Sequence, residues 1–370
     1  MTSSVSGIIF ANSNDEKLGR LTAVRSMASV PFGGRYRMID FCLSNLVNAE
    51  ITTVGIIPKE NYRSLMDHIG SGIHWDLDRK SGGVHILPPF NHRGSRRYHG
   101  YVEALYGAID FMKRCKSDYI VICDSCVVAN IDISAVVDFH IQKGADVTVV
   151  YDQTQVVDKR EDTMVLGVDG NNRVTDIAFD SQEEIKNRGL GVTVFNRDFL
   201  MKSVEESYNS GGGKIERDIL IENIDNINIY GYCHSGFVAV MDCPDSYMKA
   251  NMQLLQSDVR KDLFNKERPI YTKTRDDMPT RYGTKSKVNN SFIGEGCVIE
   301  GSVKNSVLFR GVTVGKGAVV ENGILMQSVS VGENAMLKNV VCDKNAQIGC
   351  GMTAMGTEDR VFFVEKNKQV

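Results

Sequence analysis

The chain has 370 residues, of which 42% are hydrophobic and 24% charged, and its formal net charge is −3. This length allows two domains with a substantial core, and the small net charge gives no general electrostatic case for binding nucleic acid or a membrane. No apolar run is long enough for a transmembrane helix, and the first residues lack a signal-peptide pattern, so we expect a cytoplasmic protein. The nine cysteines are scattered, which is typical of reduced core thiols rather than of a disulfide framework.

The first two thirds of the chain alternate short β-branched runs with helical patterns, as in an α/β sheet. Strands are predicted at residues 7–11, 52–58, 118–123, 145–151 and 190–195. Helices are predicted at residues 39–49, 102–115, 134–143 and 216–224. The pattern indicates one domain over residues 1–252, followed by a charged connector over residues 253–287.

The last segment, residues 288–370, has a different texture. Four apolar–glycine pairs recur at spacings of 21, 17 and 17 residues: Ile293-Gly294, Val314-Gly315, Val331-Gly332 and Ile348-Gly349. Short apolar triplets lie between them, so the segment predicts a parallel β-helix whose coils bury their inner faces by stacking. No histidine follows His234, which argues against an acyltransferase site there and favours a packing or oligomerisation role.

Residues 30–41 read VPFGGRYRMIDF and resemble the start of the ADP-glucose pyrophosphorylases, also called glucose-1-phosphate adenylyltransferases. The resemblance extends over nearly the whole chain. It implies a Rossmann-like (GT-A type) nucleotidyltransferase domain followed by a left-handed parallel β-helix. In that family, glucose 1-phosphate attacks the α-phosphate of ATP and pyrophosphate leaves. Such a reaction needs backbone amides, cationic side chains and Mg²⁺ held by carboxylates.

The phosphate-binding loop that this family places after its first strand is degenerate here. The positions that carry the loop glycines, the loop Arg and a phosphate-binding Lys are occupied, in order, by Asn12, Ser13, Asp15, Lys17 and Met27. Side chains at the glycine positions obstruct close approach of a phosphate, and Asp15 adds negative charge. Because losing one electrostatic contact of this kind commonly lowers a rate by about 10²–10³, we expect no catalysis from this loop.

The family's nucleotide pocket and metal site also survive only in part. The pocket remnant consists of Tyr98, Gly100, Tyr101 and Glu103. Asp124 stands at the place of one Mg²⁺ ligand, whereas the position of the second ligand is Val240. Loss of the second ligand is the favoured interpretation. The alternative is that the strand alternates past Val240, in which case Asp242 faces the same side two residues later and replaces it. The sugar-phosphate Lys has no counterpart in the acidic stretch at residues 178–184.

With these losses, the chain resembles the GlgD-type regulatory subunits of the family, which pair with a catalytic GlgC-type subunit. The resemblance implies a heterotetramer with that partner, or a homo-oligomer when the chain is alone. It implies no catalytic residue, metal or cofactor, with Mg²⁺ only if Asp124 retains some activity. Arg35 and Arg37 lie where the family carries basic residues linked to sugar-phosphate effectors. They are candidates for an anion site, with Arg25 or the group Arg93, Arg96 and Arg97 nearby. The alternative is that these arginines are solvated or paired with local acids.

Two other functions stay open at this point. One is a weakly active nucleotidyltransferase that uses Asp124 and Asp242. The other is a sensor of a sugar phosphate or nucleotide that works without a catalytic partner. A thermal-shift titration separates the three functions. Stabilisation by Mg-ATP favours the enzyme, stabilisation by sugar phosphates alone favours the sensor, and stabilisation only by the catalytic subunit favours the regulatory subunit.

Overall fold

The structure is a computed structural model that describes residues 4–89, 98, 100–153, 163–179, 187–357 and 360–370. Most of the basic stretch at residues 91–99 and the acidic stretch at residues 180–184 lie outside the described residues. Within the described ranges, no helix is both long and apolar enough to cross a membrane. All nine cysteines are free, as predicted.

The first domain is an α/β structure. Its strands are β1 (Val5–Phe10), β2 (Pro31–Phe32), β3 (Tyr36–Arg37), β4 (Thr53–Ile57), β5 (Gly83–Ile86), β6 (Tyr119–Asp124), β7 (Val127–Ala129), β8 (Val147–Asp152), β9 (Met164–Val168), β10 (Val174–Phe179), β11 (Arg188–Asn196), β12 (Ile229–His234) and β13 (Val238–Val240). Its helices are α1 (Met38–Asn48), α2 (Arg63–Ile69), α3 (Tyr101–Gly107), α4 (Ile109–Cys115), α5 (Ile133–Lys143), α6 (Arg197–Asn209), α7 (Pro244–Gln253) and α8 (Ser257–Leu263). A π-helical segment spans Glu216–Ile221.

The five predicted strands are all present, with ends within two residues of the prediction. Two helical predictions need correction. The helix predicted at residues 102–115 is divided at Ala108, which follows the poor helix former Gly107 and has φ −95° and ψ 6°. The helix predicted at residues 216–224 is the shorter π-helical segment.

The main sheet places β1 at the centre of a parallel set. The strands β5, β4, β1 and β6 are parallel neighbours, and β11 adds to β6 in the antiparallel direction. Both faces of β1 are covered, because Ile9 belongs to one hydrophobic core while Ile8 and Phe10 belong to the other. The carboxyl ends of β1 and β6 therefore lie side by side at one edge of the sheet.

The second domain is a parallel β-helix. Its strands are β14 (Arg281–Tyr282), β15 (Lys287–Asn289), β16 (Phe292–Ile293), β17 (Val298–Ile299), β18 (Ser302–Lys304), β19 (Val307–Leu308), β20 (Thr313–Val314), β21 (Val319–Leu325), β22 (Ser330–Val331), β23 (Met336–Cys342), β24 (Gln347–Ile348), β25 (Thr353–Met355) and β26 (Phe362–Val364). The first of these, β14, already pairs in parallel with β17, so the β-helix begins before the predicted boundary at residue 288.

The coil register explains the predicted repeat and its one irregular interval. Val314, Val331 and Ile348 are register partners on successive coils, 17 residues apart. Ile293 instead aligns with Leu308 on a different ladder, so the 21-residue interval joined two faces of the β-helix. The β-helix and the first domain share one hydrophobic core cluster, to which Phe309 and Met326 contribute from the β-helix side.

Candidate functional site

The degenerate loop begins where the two central strands end. Phe10, the last residue of β1, is the register partner of Asp124, the last residue of β6. Ligands of α/β sheets bind at the carboxyl ends of the strands. The loop at residues 11–18 and the vestigial carboxylate thus share the edge at which such a sheet holds a ligand.

Side chains that replace the loop glycines are bonded within the protein. Asn12 Nδ2 donates to Asp15 Oδ2 over 2.6 Å, and Asn12 Oδ1 accepts from the Lys59 backbone N–H over 2.7 Å. Asp15 Oδ1 accepts from the Met27 backbone N–H over 2.8 Å. The Lys17 backbone N–H donates to the carbonyl oxygen of Asn14 over 3.1 Å, which closes a turn in the loop. The loop is therefore closed by its own polar groups.

Met27, the residue at the expected lysine position, faces inward. Its side chain is fully buried and belongs to the same core cluster as Leu18 and Phe32. Burial raises the pKa of the neighbouring Asp15 carboxyl to about 6, opposed by its hydrogen bonds from Met27 and Asn12. A cationic contact to phosphate has thus been replaced by an apolar core contact and a carboxyl group.

Asp124 is held by two hydroxyl groups. Ser13 Oγ donates to Asp124 Oδ1 over 2.7 Å, and the Tyr101 hydroxyl forms a second hydrogen bond to this carboxyl group. The Tyr101 ring stacks on Phe10 with centroids 4.1 Å apart and planes at 11°. Burial, with a smaller contribution from the charge of Glu216, raises the pKa of Asp124 to about 7. The surroundings therefore favour the protonated form of this carboxyl group.

The other remnants of the nucleotide pocket have structural partners. A Cβ atom on Gly100 would lie 2.3 Å from the carbonyl oxygen of Gly213, so close backbone packing requires glycine there. Tyr98 is buried, and the Lys59 ammonium lies 5.7 Å from the centre of its ring. Glu103 lies in the first turn of α3, where a carboxylate is favourable.

Asp242, the residue that could supply a second carboxylate for Mg²⁺, does not lie on a strand. The strand β13 ends at Val240, and Asp242 lies in the turn before α7, where its backbone N–H donates to Ser246 Oγ over 3.1 Å. The strand alternation that would orient Asp242 toward Asp124 therefore does not extend that far. In the described ranges, no group of three His, Cys, Asp or Glu side chains could hold a metal ion.

A second candidate site, here called the cationic pocket, lies between the first domain and the β-helix. Its lining includes the basic side chains Arg35, Arg37, Lys273, Arg275, Arg310 and Lys344, together with His68 and Gln327. Crowded cations focus a positive potential in a cleft, and guanidinium groups match the geometry of a phosphate. The arrangement is chemically suited to a phosphorylated anion.

Two of the three predicted arginines reach this pocket. Arg35 is half-exposed and lies 3.6 Å from the Glu295 carboxylate. Arg37 Nη1 donates to the Ser64 carbonyl oxygen over 2.6 Å, and burial lowers the pKa of Arg37 to about 10. Both side chains line the cavity and retain further donors for an anion.

Arg25 requires a correction. Its side chain is only 2% exposed, and Nη2 donates to both carboxylate oxygens of Asp343 over 2.8 and 2.9 Å. Its Nη1 donates to the Leu21 carbonyl oxygen. Arg25 therefore forms a buried ion pair between the first domain and the β-helix, and it does not line the cationic pocket.

The β-helix contributes pocket residues that the sequence analysis missed. These are Arg310, Gln327 and Lys344, which come two residues after the ends of β19, β21 and β23. They recur at 17-residue intervals, so they stack on successive coils of the β-helix. Nε and Nη2 of Arg310 are buried and make no hydrogen bond to any described residue. Glu295 and Asp277 lie 3.4 and 3.6 Å from Nε. The 17-residue repeat was the signal that could have found these three residues together.

Comparison with known proteins gives the same division of the chain. A family model described as "Nucleotidyl transferase" matches residues 6–207, and one described as "GlmU-like, C-terminal hexapeptide" matches residues 277–364. The chain is 37% identical over 361 residues to "Glycogen biosynthesis protein GlgD" of Bacillus subtilis (strain 168), covering 97% of this chain and 95% of the relative. It is 38% identical over 324 residues to the protein of the same name from Geobacillus stearothermophilus, covering 86% and 84%. It is 34% identical over 322 residues to "Glucose-1-phosphate adenylyltransferase" of Clostridium botulinum (strain Alaska E43 / Type E3), covering 85% and 82%.

Proposed function

The chain belongs to the nucleotidyl transferase family that includes the GlgD glycogen biosynthesis proteins and the glucose-1-phosphate adenylyltransferases, and we propose that it is a non-catalytic regulatory subunit in bacterial glycogen synthesis. The names of its relatives support the glycogen-synthesis role. A catalytic GlgC-type subunit, joined with it in a heterotetramer, would form ADP-glucose from ATP and glucose 1-phosphate. This chain would set the rate of that subunit and its response to an effector.

The observation that carries the proposal is the closed loop. The Asp15 carboxylate accepts a hydrogen bond from the Met27 amide, at the position where the family has a phosphate-binding Lys. A triphosphate would have to displace this carboxylate and approach its negative charge. The stacked Tyr101 ring lies beside Asp124 in the space next to Phe10. Binding and metal-assisted catalysis are both disfavoured by the same set of contacts.

The cationic pocket supports a regulatory role. Four guanidinium groups and two ammonium groups meet between the two domains, where a bound anion would contact both. An effector that carries phosphate would bridge β3, the connector and the β-helix. It would therefore change how the domains are held together. A sugar phosphate is the effector class proposed, because the guanidinium groups that line the pocket match the geometry of its phosphate.

The first experiment is pyrophosphate release from Mg-ATP and glucose 1-phosphate, by this chain alone and mixed with a catalytic GlgC-type subunit. We expect no turnover from the chain alone and a changed rate or effector response in the mixture. Turnover by the chain alone would contradict the proposal and favour the weakly active enzyme. Stabilisation of the chain by a sugar phosphate, with no effect on the catalytic subunit, would favour the sensor.

A further inference from the structure

An acidic side chain lies beside the residues that the β-helix supplies to the cationic pocket. Arg310 comes two residues after the end of β19, and Glu295 comes two residues after the end of β16. Ile293 of β16 is the register partner of Leu308 of β19, so Glu295 and Arg310 occupy equivalent positions on successive coils. The Gly311 backbone N–H donates to the Glu295 carbonyl oxygen over 3.0 Å, which holds the two coils together at this point. The β-helix therefore places a carboxylate against a cation of the pocket.

The Glu295 carboxylate bridges two guanidinium groups. Its Oε1 lies 3.6 Å from Nη1 of Arg35 in the first domain, and its Oε2 lies 3.4 Å from Nε of Arg310 in the β-helix. A second carboxylate, that of Asp277 in the connector, lies 3.6 Å from the same Nε. Two oxygens of a phosphate group could span the same pair of arginines. Glu295 thus makes, from within the protein, contacts of the kind that an anionic ligand would make.

These contacts balance charge without satisfying the hydrogen-bond donors. A well-formed N–H···O bond spans about 2.7–3.2 Å, and both contacts to Nε of Arg310 are longer. Nε and Nη2 of Arg310 are buried and make no hydrogen bond to any described residue. By contrast, Arg25 donates to both carboxylate oxygens of Asp343 over 2.8 and 2.9 Å between the same two domains. An anion that bonded directly to Arg310 would supply the hydrogen bonds that its carboxylate neighbours do not make.

The carboxylates are freer to move than the guanidinium group between them. The Glu295 side chain is 44% exposed and that of Asp277 is 34% exposed, whereas that of Arg310 is 9% exposed. The free volume of the pocket is about 40 Å³, which holds only a few water molecules. Rotation of Glu295 into solvent would enlarge this space and leave Arg310 in place.

We propose that Glu295 is an internal competitor of the phosphorylated effector, which holds Arg35 and Arg310 until an anion binds and displaces it. This inference rests on the proposed function, in which the cationic pocket binds an anion. The exchange replaces long ion pairs with short, charge-assisted hydrogen bonds, and a phosphate dianion brings more charge than the carboxylate that it displaces. Asp277 shares Nε of Arg310, so the same exchange acts on the connector between the two domains.

The test measures the affinity of the full chain for inorganic phosphate from the dependence of its melting temperature on phosphate concentration, at fixed ionic strength. We expect Glu295→Gln to bind phosphate at least about threefold more tightly than the wild type, because the competing charge is gone. The matched control is Asp67→Asn, which removes an exposed carboxylate whose charge acts on Arg37 of the same pocket. It should change the affinity by less than about twofold, because charges on the surface are screened. Equal gains from the two variants would indicate general repulsion and overturn the proposal.

A double variant tests whether the competition passes through Arg310. In an Arg310→Gln background, Glu295→Gln should improve phosphate binding much less than it does in the wild type. An undiminished gain would contradict displacement of Glu295 from Arg310. In phosphate-free buffer, Glu295→Gln should melt below the wild type because Arg310 loses a partner, and saturating phosphate should narrow this difference. A single melting transition of each variant checks that it is folded.

The outcomes also separate this inference from the proposed function. If the wild type binds phosphate and Glu295→Gln binds it no more tightly, the internal competitor is excluded while the anion site stands. If phosphate stabilises neither protein, the cationic pocket is not an anion site, and both the inference and this support for a regulatory role are lost.

Discussion

The closed loop and the cationic pocket are built in part from the same stretch of chain, residues 12–37, yet their polar groups are satisfied in opposite ways. In the loop, Asn12, Ser13 and Asp15 each have a partner inside the protein. In the pocket, buried nitrogens of Arg310 make no hydrogen bond to any described residue. Glu295 and Asp277 lie 3.4 and 3.6 Å from Nε of Arg310 and balance its charge, but buried polar groups in proteins are normally hydrogen-bonded, so its donors indicate a place for a ligand. The contrast supports the proposal above, in which the pocket binds an anion and the loop binds no nucleotide.

One ion pair joins the two regions. Arg25 lies two residues before Met27 in the chain, and its partner Asp343 directly precedes Lys344 of the pocket. Both side chains are 2% exposed. A change at the pocket therefore has a direct structural route to the segment that follows the loop, and the predictions below test the two regions and this link.

The largest effect is expected from breaking the link. The variant Arg25→Met leaves the Asp343 carboxylate buried without its partner, which should lower the free energy of unfolding by about 3–5 kcal/mol. The double variant Arg25→Met/Asp343→Leu should recover most of this loss because no buried charge remains. Urea unfolding measures both. The control is Lys202→Met, which breaks an exposed ion pair with Glu206 on α6 and should lower the free energy of unfolding only slightly. A loss from Arg25→Met no larger than the control's would mean that the ion pair does not hold the domains.

The second effect concerns the charge at the closed sheet edge. The pKa of Asp124 is raised from 3.8 to about 7 in the folded protein, so the native state binds more protons between these values. Ionisation of Asp124 therefore lowers stability as pH rises from about 4 to 7, with no further loss above that range. Asp124→Asn removes the charge, and its stability advantage over the wild type should widen by about 1–3 kcal/mol from pH 4 to pH 8.

Urea unfolding of both proteins across this pH range measures that difference. Asp15→Asn is the matched variant, because the pKa of Asp15 is raised to about 6 by burial in the same loop. The difference in free energy of unfolding between Asp15→Asn and the wild type should stop growing at a lower pH than the difference for Asp124→Asn. If the stability advantage of Asp124→Asn over the wild type instead decreased with rising pH, Asp124 would be ionised and stabilised in the fold, as a metal ligand would be.

The sequence analysis was most successful where the structure follows local periodicity. The β-branched runs of the first domain and the 17-residue repeat both report on short-range patterns, and the corresponding strands are present. The interruption at Ala108 and the early start of the β-helix at Arg281 were missed. The first breaks an apparently continuous apolar pattern, and the second depends on pairing between coils rather than on composition.

Side-chain partners were the least predictable feature. Arg25 was a candidate for the anion site because it was expected to lie near Arg35 and Arg37, but its partner Asp343 is 318 residues away in sequence. Asp15 was identified only as a residue at a family glycine position, and its hydrogen bond from the Met27 backbone N–H was not foreseen. Asp242 was the alternative second ligand only if strand alternation continued, and the strand ends at Val240. Contacts between distant segments decide each of these cases, and no local pattern encodes them.

The third effect comes from reopening the loop. Replacing Asn12, Ser13 and Asp15 with glycine, together with Tyr101→Thr, removes the side chains that close the sheet edge and one negative charge. We expect the affinity for Mg-ATP to rise at least about tenfold by calorimetry. Adding Met27→Lys introduces the missing cation, but it also places a charge in the core and should lower stability. Asn14→Gly is the control, because this residue already has φ 59° and its side chain replaces no glycine of the family loop. An unchanged affinity in the multiple variant would show that the loop is not what excludes nucleotide.

The smallest effect compares two arginines of the pocket. Both side chains lie near Glu295, but Arg310 is 7% exposed and its buried Nε and Nη2 make no hydrogen bond to a described residue, whereas Arg35 is half-exposed. A charge-assisted hydrogen bond is stronger when the donor is buried, so Arg310→Gln should weaken the binding of inorganic phosphate several-fold more than Arg35→Gln does. Phosphate-dependent shifts in melting temperature measure both, with the loop variants as a second comparison because they should leave phosphate binding intact. Equal losses from the two arginine variants would mean that the anion sits at the rim of the pocket, and a loss in the loop variants would mean that the two regions share one ligand.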